Sequence, residues 1–339
     1  MRFGPVPALD AVGAILAHSM EALNRPHEAQ QTYRVPKGTV LTQVHVEDLI
    51  AEGHEILTVA RLETGDIEEN TAAGRLARAI VPAPEGQGIR IAAAGAGRVN
   101  LYAETCGVVA VDISAVERLN AANPMITLAT VPQHHRVDAG GMIATIKIIS
   151  YAVPGAALQM AETAGAAALR VLAPIYASAT LIETTVTGKE PPKKGREALF
   201  GRLHRLGLML SDRVIVDHAC DPLAEAIAKA PGEVVFVLTA SATSDPCDVG
   251  PRALQQAGGE VTGFGIPVDP GNLLFFGKRG GRPVIGLPGC ARSPALNGAD
   301  WVSERLICGV DLTSADIAAM GVGGLLKEIP TRPMPRRES

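Results

Sequence analysis

Between residues 180 and 238, short apolar runs alternate with stretches of helical spacing, and this alternation limits the possible folds more than any other feature of the chain. Thr180-Leu181-Ile182-Glu183-Thr184-Thr185-Val186 reads as a strand, 196–209 as a helix, Arg213-Val214-Ile215-Val216 as a strand, 222–230 as a helix, and Val234-Val235-Phe236-Val237-Leu238 as a strand. A β-α-β-α-β series predicts a three-layer α/β domain in which a parallel sheet has helices on both faces. Its ligands are expected beyond the carboxyl ends of the strands. Three loops should meet there: Thr187-Gly188-Lys189-Glu190, the run from Thr239 to Asp248, and the turn from Pro288 to Ser293.

Each loop carries residues suited to an anion. Thr239, Ser241 and Ser244 offer hydroxyls, and Asp245 and Asp248 stand three apart, close enough to share a hydrated Mg²⁺ beside a phosphate. These two carboxylates are the candidate catalytic and metal-binding residues; the alternative is that Asp248 caps a helix predicted over 251–257. Arg282-Pro283-Val284-Ile285-Gly286-Leu287 reads as a buried strand. Ser293-Pro294-Ala295-Leu296 then reads as a helix start, with Ser293 as N-cap and Pro294 in the first turn. A loop entering a helix collects unpaired N–H groups, and Arg292 adds a planar cationic fork. Alternatively, Pro288 and Gly289 form only a tight turn and Arg292 is a solvated side chain.

The domain boundaries suggested by these patterns are an irregular α+β region at 1–167, which can hold two subdomains, the α/β domain at 168–311, and a tail at 312–339. In the first region a helix is expected over 9–23, a strand over 55–62, a helix over 69–80 and strands at 108–112, 126–130 and 142–149. Gly95-Ala96-Gly97-Arg98 resembles a dinucleotide fingerprint only in its first two glycines.

Composition excludes several classes. Aromatic residues make up 3% and net charge is −4, so there are neither stacking platforms nor a cationic surface for nucleic acid. Five cysteines, an odd number without a CxxC pair, indicate neither a zinc site nor a disulfide framework and fit a reducing cytoplasm. Prolines interrupt the amino terminus before any apolar run, which speaks against a secretory signal. Arg170 and Pro174 break the apolar stretch 164–182, which speaks against a membrane span. His134-His135 is either a metal-ligating pair or simply exposed.

The motifs resemble those of a known family. Ser241-Ala242-x-x-Asp245-x-x-Asp248-Val249, Pro267-Val268-Asp269-Pro270-Gly271-Asn272-Leu273-Leu274, Pro288-Gly289-Cys290-Ala291-Arg292-Ser293-Pro294 and Met320-Gly321-Val322-Gly323-Gly324 are similar to motifs of MoeA-like molybdopterin-binding proteins. Relatives in that group are often fused to a nucleotidyltransferase resembling MobA or MocA. The resemblance implies a cytoplasmic homodimer in molybdenum cofactor biosynthesis. It would bind molybdopterin, a pterin with a dithiolene and a terminal phosphate, and act with a nucleotidyltransferase or molybdoenzyme partner.

On this resemblance Thr187 and Gly188 line the ligand, as do Thr239, Ser241 and Ser244. Pro288, Gly289, Arg292 and Ser293 hold the phosphate, while Asp269 and Asn272 read the amino and ring N–H groups of the pterin. Asp269 can instead cap its own Pro-Gly turn. Two departures stand out. Lys189 replaces an Asp of the family's Thr-Gly-Asp-Glu loop, and Ser241-Ala242 replace paired glycines. Two functions follow: a transferase that inserts molybdate, with Asp245 and Asp248 steadying Mg²⁺, or a non-catalytic module that holds and delivers the pterin.

Overall fold

The computed structural model describes residues 1–24, 31–269 and 272–326. The chain divides into two compact units. The first comprises Met1–Glu104, Val109–Gln133 and Ala139–Arg170, and the second comprises Thr105–Val108, His134–Asp138 and the chain from Val171 onward. The part of the expected tail beyond residue 326 lies outside the described residues, as do Pro270 and Gly271.

In the first unit, Arg2–Pro7 pairs antiparallel with Ile56–Arg61, which also pairs with Ile15–Leu16. Leu16, Leu41, Leu49, Leu57 and Val59 form the core beneath this sheet. A second antiparallel sheet has the order Ile126–Thr130, Met142–Ile148, Arg98–Ala103, Ile89–Ile91. The helix Glu69–Ile80 forms where the 69–80 spacing places it, and Glu68 accepts the backbone N–H groups of Asn70 and Thr71 at its start.

The helix expected over 9–23 does not form. A 3-10 turn at Ala8–Asp10 gives way to Ile15–Leu16 and then to the strand Met20–Asn24. Gly13 sits at φ +77°, which breaks any helix there. Ala14, Ile15, Leu16 and Ala17 are all buried, so consecutive apolar residues of an enclosed strand imitate the spacing of a helix face.

The second unit contains the α/β domain. Its strands are β1 (Ser178–Thr185), β2 (Met209–Leu210), β3 (Val214–Asp217), β4 (Val234–Leu238), β5 (Glu260–Ile266), β6 (Asn272–Arg279) and β7 (Arg282–Gly286). Its helices are α1 (Lys194–Arg205), α2 (Cys220–Lys229), α3 (Val249–Gln256), α4 (Gly298–Ile307) and α5 (Ser314–Ala319). β2 and β3 pair in succession along one edge of β1, and β4 and β7 follow on its other side, all parallel. β6 and β5 complete the sheet antiparallel.

The layers follow from strand alternation. Leu181, Phe236, Ile285 and Phe276 face one core with Leu199 and Leu203 of α1 and Val302 of α4. Ile182, Val235, Val237 and Phe275 face the other with Leu223 and Ile227 of α2 and Leu254 of α3. The three-layer parallel-sheet architecture expected from the alternation is therefore present. Its parallel strands end together at Thr185, Asp217, Leu238 and Gly286. Because β6 runs opposite to β7, pairing Phe275 with Gly286, the start of β6 at Asn272 belongs to the same edge.

Candidate functional site at the carboxyl edge

The second and third loops are tied together by one side chain. Arg292 Nη2 donates to the Thr239 carbonyl at 2.8 Å, so the guanidinium is half-buried and braces the first residue beyond β4. The first loop returns into α1, and there Gly195 leaves no room for a side chain. A Cβ on it would lie 2.6 Å from Leu238 and 3.4 Å from the Arg292 stem. The start of α1, the end of β4 and Arg292 are thus packed neighbours.

Under the second loop, the buried Thr184 hydroxyl accepts the N–H of Ala240 at 2.7 Å and lies 2.9 Å from His218 Nδ1. Thr239 and Thr243 hydroxyls pair at 3.3 Å, both buried.

Asp248 takes the role of a cap. Its Oδ1 accepts Val249 N–H at 2.7 Å at the start of α3, and its Oδ2 accepts Ser244 N–H at 3.1 Å. Asp245 accepts Cys247 N–H at 2.7 Å through Oδ1. Among the described residues no group of three or more His, Cys, Asp or Glu gathers as a metal site. A Mg²⁺ placed here would depend on Asp245, water and a ligand phosphate to complete its shell, as Mg²⁺ commonly does.

Ser293 and Pro294 do not start a helix. Gly289–Arg292 forms one 3-10 turn after Pro288, and α4 begins after Asn297. The reason lies in Arg202 of α1. Its guanidinium donates to the carbonyls of Ala291 at 2.9 Å, Ser293 at 2.8 Å and Ala295 at 3.2 Å, which holds this segment extended. The Asn297 side chain accepts Ala299 N–H and Asp300 accepts Asn297 N–H, so the positive end of α4 is capped by its own residues. An anion at this edge must use Arg292 and loop N–H groups instead of that helix.

Asn272 is 4% exposed, and its Oδ1 is buried without a hydrogen-bond partner among the described residues; its Nδ2 lies 3.9 Å from Cys290 Sγ in the third loop. Both Asp269 carboxylate oxygens are likewise buried without a described partner, on a residue at φ +47°. Orphaned buried acceptors are costly, and a ligand with N–H donors would satisfy them. By contrast, Thr187 and Gly188 are exposed, and the loop is held to the sheet by the Thr185 hydroxyl, which donates to the Lys189 carbonyl at 2.9 Å, and by Arg213, which pairs with Glu190 at 3.2 Å. Ser241 is exposed as well. The Ser293 hydroxyl accepts Ala295 N–H at 3.3 Å.

A family described as a domain of unknown function (DUF8806) matches residues 5–61, which belong to the first unit. No curated protein matches the chain. Among solved structures, a molybdopterin biosynthesis MoeA protein from Pyrococcus horikoshii is similar at 15% identity and a TM-score of 0.30, covering 91% of this chain and 75% of its own. A second structure of MoeA from Pyrococcus horikoshii OT3 is similar at 12% identity and a TM-score of 0.22, covering 96% of this chain and 75% of its own.

Sequence reasoning missed Thr184, His218 and Arg202. His218 had a usable signal, since it lies two residues beyond a predicted strand and so falls at the carboxyl edge. Arg202 had none, because its partners lie about 90 residues away. His134 and His135 lie together in the second unit, and burial holds both imidazoles below their usual pKa. Among the described residues no helix is long and apolar enough to cross a membrane.

Proposed function

We propose that the carboxyl edge of the second unit binds a phosphorylated pterin of the molybdopterin type and that the chain serves molybdenum cofactor biosynthesis as a binding and delivery module. The observation that carries this is the buried Asn272 oxygen beside the third loop, without a partner among the described residues, on the edge where Arg292 braces Thr239. Asn272 and Asp269 supply acceptors for the amino and ring N–H groups of the pterin. Arg292, with Gly289 and the hydroxyls of Ser241, Ser244 and Ser293, supplies donors for the phosphate. Thr187 and Gly188 close the site from the first loop.

Delivery is preferred over molybdate insertion because both Asp248 oxygens are held by backbone N–H groups and Lys189 stands where the family's motif has a carboxylate. That leaves Asp245 as the second-loop carboxylate available to a cation. A nucleotidyltransferase or molybdoenzyme would receive the pterin, and a homodimer is the expected state.

Calorimetric titration of the full chain with molybdopterin tests this. Wild-type protein should bind, and Arg292→Met and Asn272→Leu should each weaken binding by about 10–100-fold, the worth of a buried or charge-assisted hydrogen bond. Absence of saturable binding would refute the site. Incubation with adenylylated molybdopterin, molybdate and Mg²⁺ should release no AMP above a no-protein control; release abolished by Asp245→Asn would establish the transferase instead.

A further inference from the structure

A cavity of about 320 Å³ opens in the second unit behind the third loop. Its charged wall is made by Arg136, by Arg205 at the end of α1, and by Asp300 and Glu304 of α4; Trp301, Pro294 and Leu296 form an apolar wall. Its size is at the lower end of the range for small-molecule pockets. Arg205 makes no hydrogen bond or ion pair with any described residue, although its charge acts on Glu304 and Asp138. His134 borders the same space at φ +58°, a conformation rarely adopted by a residue with a side chain.

We propose that this cavity binds a small organic anion, with Arg136 and Arg205 on its charged group and Trp301, Pro294 and Leu296 on its apolar body. Asp300 is already paired with Arg202, and Arg136 shares its charge between Asp138 and, at 3.5 Å, Glu304. Arg205 is the cation left for a guest. Glu304 is the group that would oppose one, being 8% exposed and lining the same wall.

Glu304 resolves that conflict by holding a proton. Burial, reinforced by the neighbouring Asp300 charge, pushes its carboxyl up to about 7, while Arg136, Arg205 and Arg202 pull it back. A bound anion adds negative charge and favours the protonated form, so binding takes up a proton. The other groups facing the cavity do not reverse this. Burial holds His134 and His135 below the usual imidazole range, and each would gain charge only as the pH falls further, in the same direction. Asp138 is held low by Arg136, and the nearby Cys308 thiol is pushed up to about 12 and stays neutral.

The test is calorimetric titration of the full chain with sodium benzoate and sodium sulfate at pH 6 and pH 8, at constant ionic strength. Fluorescence of Trp301, the single tryptophan of the chain, locates the event. Both probes stay ionised across this range, so any pH dependence belongs to the protein. Benzoate should bind more tightly than sulfate, change the Trp301 emission, and weaken about tenfold from pH 6 to pH 8 as the competent protonated fraction falls. Glu304→Gln should keep the pH 6 affinity at pH 8. Arg205→Ala, at an exposed position without a hydrogen-bond partner among the described residues, should fold normally and lose about tenfold or more in affinity. No saturable benzoate binding, sulfate binding as tight as benzoate, or an Arg205→Ala variant that binds like wild type would overturn the proposal. None of these outcomes touches the pterin site.

Discussion

Glu304 gives the molecule a measurable pH signature of its own. In the unfolded chain its carboxyl titrates near 4.5, whereas in the folded state burial lifts it to about 7. Between those values the folded state holds the extra proton, so this group's contribution is fully present below about pH 4.5 and is lost as the pH rises through 7. Urea unfolding from pH 5 to pH 8 should show wild-type stability falling relative to Glu304→Gln by on the order of 2 to 3 kcal/mol. Equal slopes for the two proteins would show that the carboxyl is not buried as described. Asp248 teaches the complementary lesson at the same scale. Two carboxylates three apart suggest a cation in sequence, yet in space Asp248 gives one oxygen to Val249 and the other to Ser244. A residue type that suits two roles does not announce which backbone N–H lies nearest.

At the scale of elements, the edge of the sheet depends on a buried ion pair. Arg213, just before β3, donates through Nε to Glu183 of β1 at 2.6 Å, and Glu183 is 1% exposed. Arg213 also reaches Glu190 at 3.2 Å and the Pro191 carbonyl, so it ties the first loop to the sheet. Arg213→Met should cost about 3 to 5 kcal/mol by stranding the Glu183 charge, and the double variant Glu183→Leu, Arg213→Met should recover most of it. Denaturant unfolding of the two variants checks this; equal losses in both would mean that packing, rather than charge, sets the cost. Elements also mark where sequence was legible. β4 and the helix at 69–80 form within a residue of the expected places, because apolar alternation and helical spacing there agree with burial. The helix at 9–23 and the helix start at Ser293 did not form. In one case a fully enclosed strand mimics helical spacing. In the other, the Ser293 and Ala295 carbonyls, which a helix starting at Ser293 would use, are taken by Arg202 from α1.

For the whole molecule, the α/β unit should be most resistant to opening where both faces of the sheet are covered. β1 and β4 are buried along almost their whole length, between α1 and α4 on one side and α2 and α3 on the other. Native-state hydrogen exchange should be slowest in β1, β4 and β7 and faster in β2 and β5 at the two sheet edges. Uniform protection across all seven strands would contradict that layering. The alternation of strands and helices from 180 to 238 was enough by itself to determine a parallel sheet, its two helical layers and the edge at which loops gather, because side-chain periodicity and the right-handed crossover leave few other arrangements. Tertiary structure alone decided which groups meet at that edge and behind it. Arg292 with Thr239, Thr184 with His218 and Ala240, and Arg136 with Glu304 are each far apart in sequence. Their contacts depend on where packed helices place long side chains, and no local spacing encodes that.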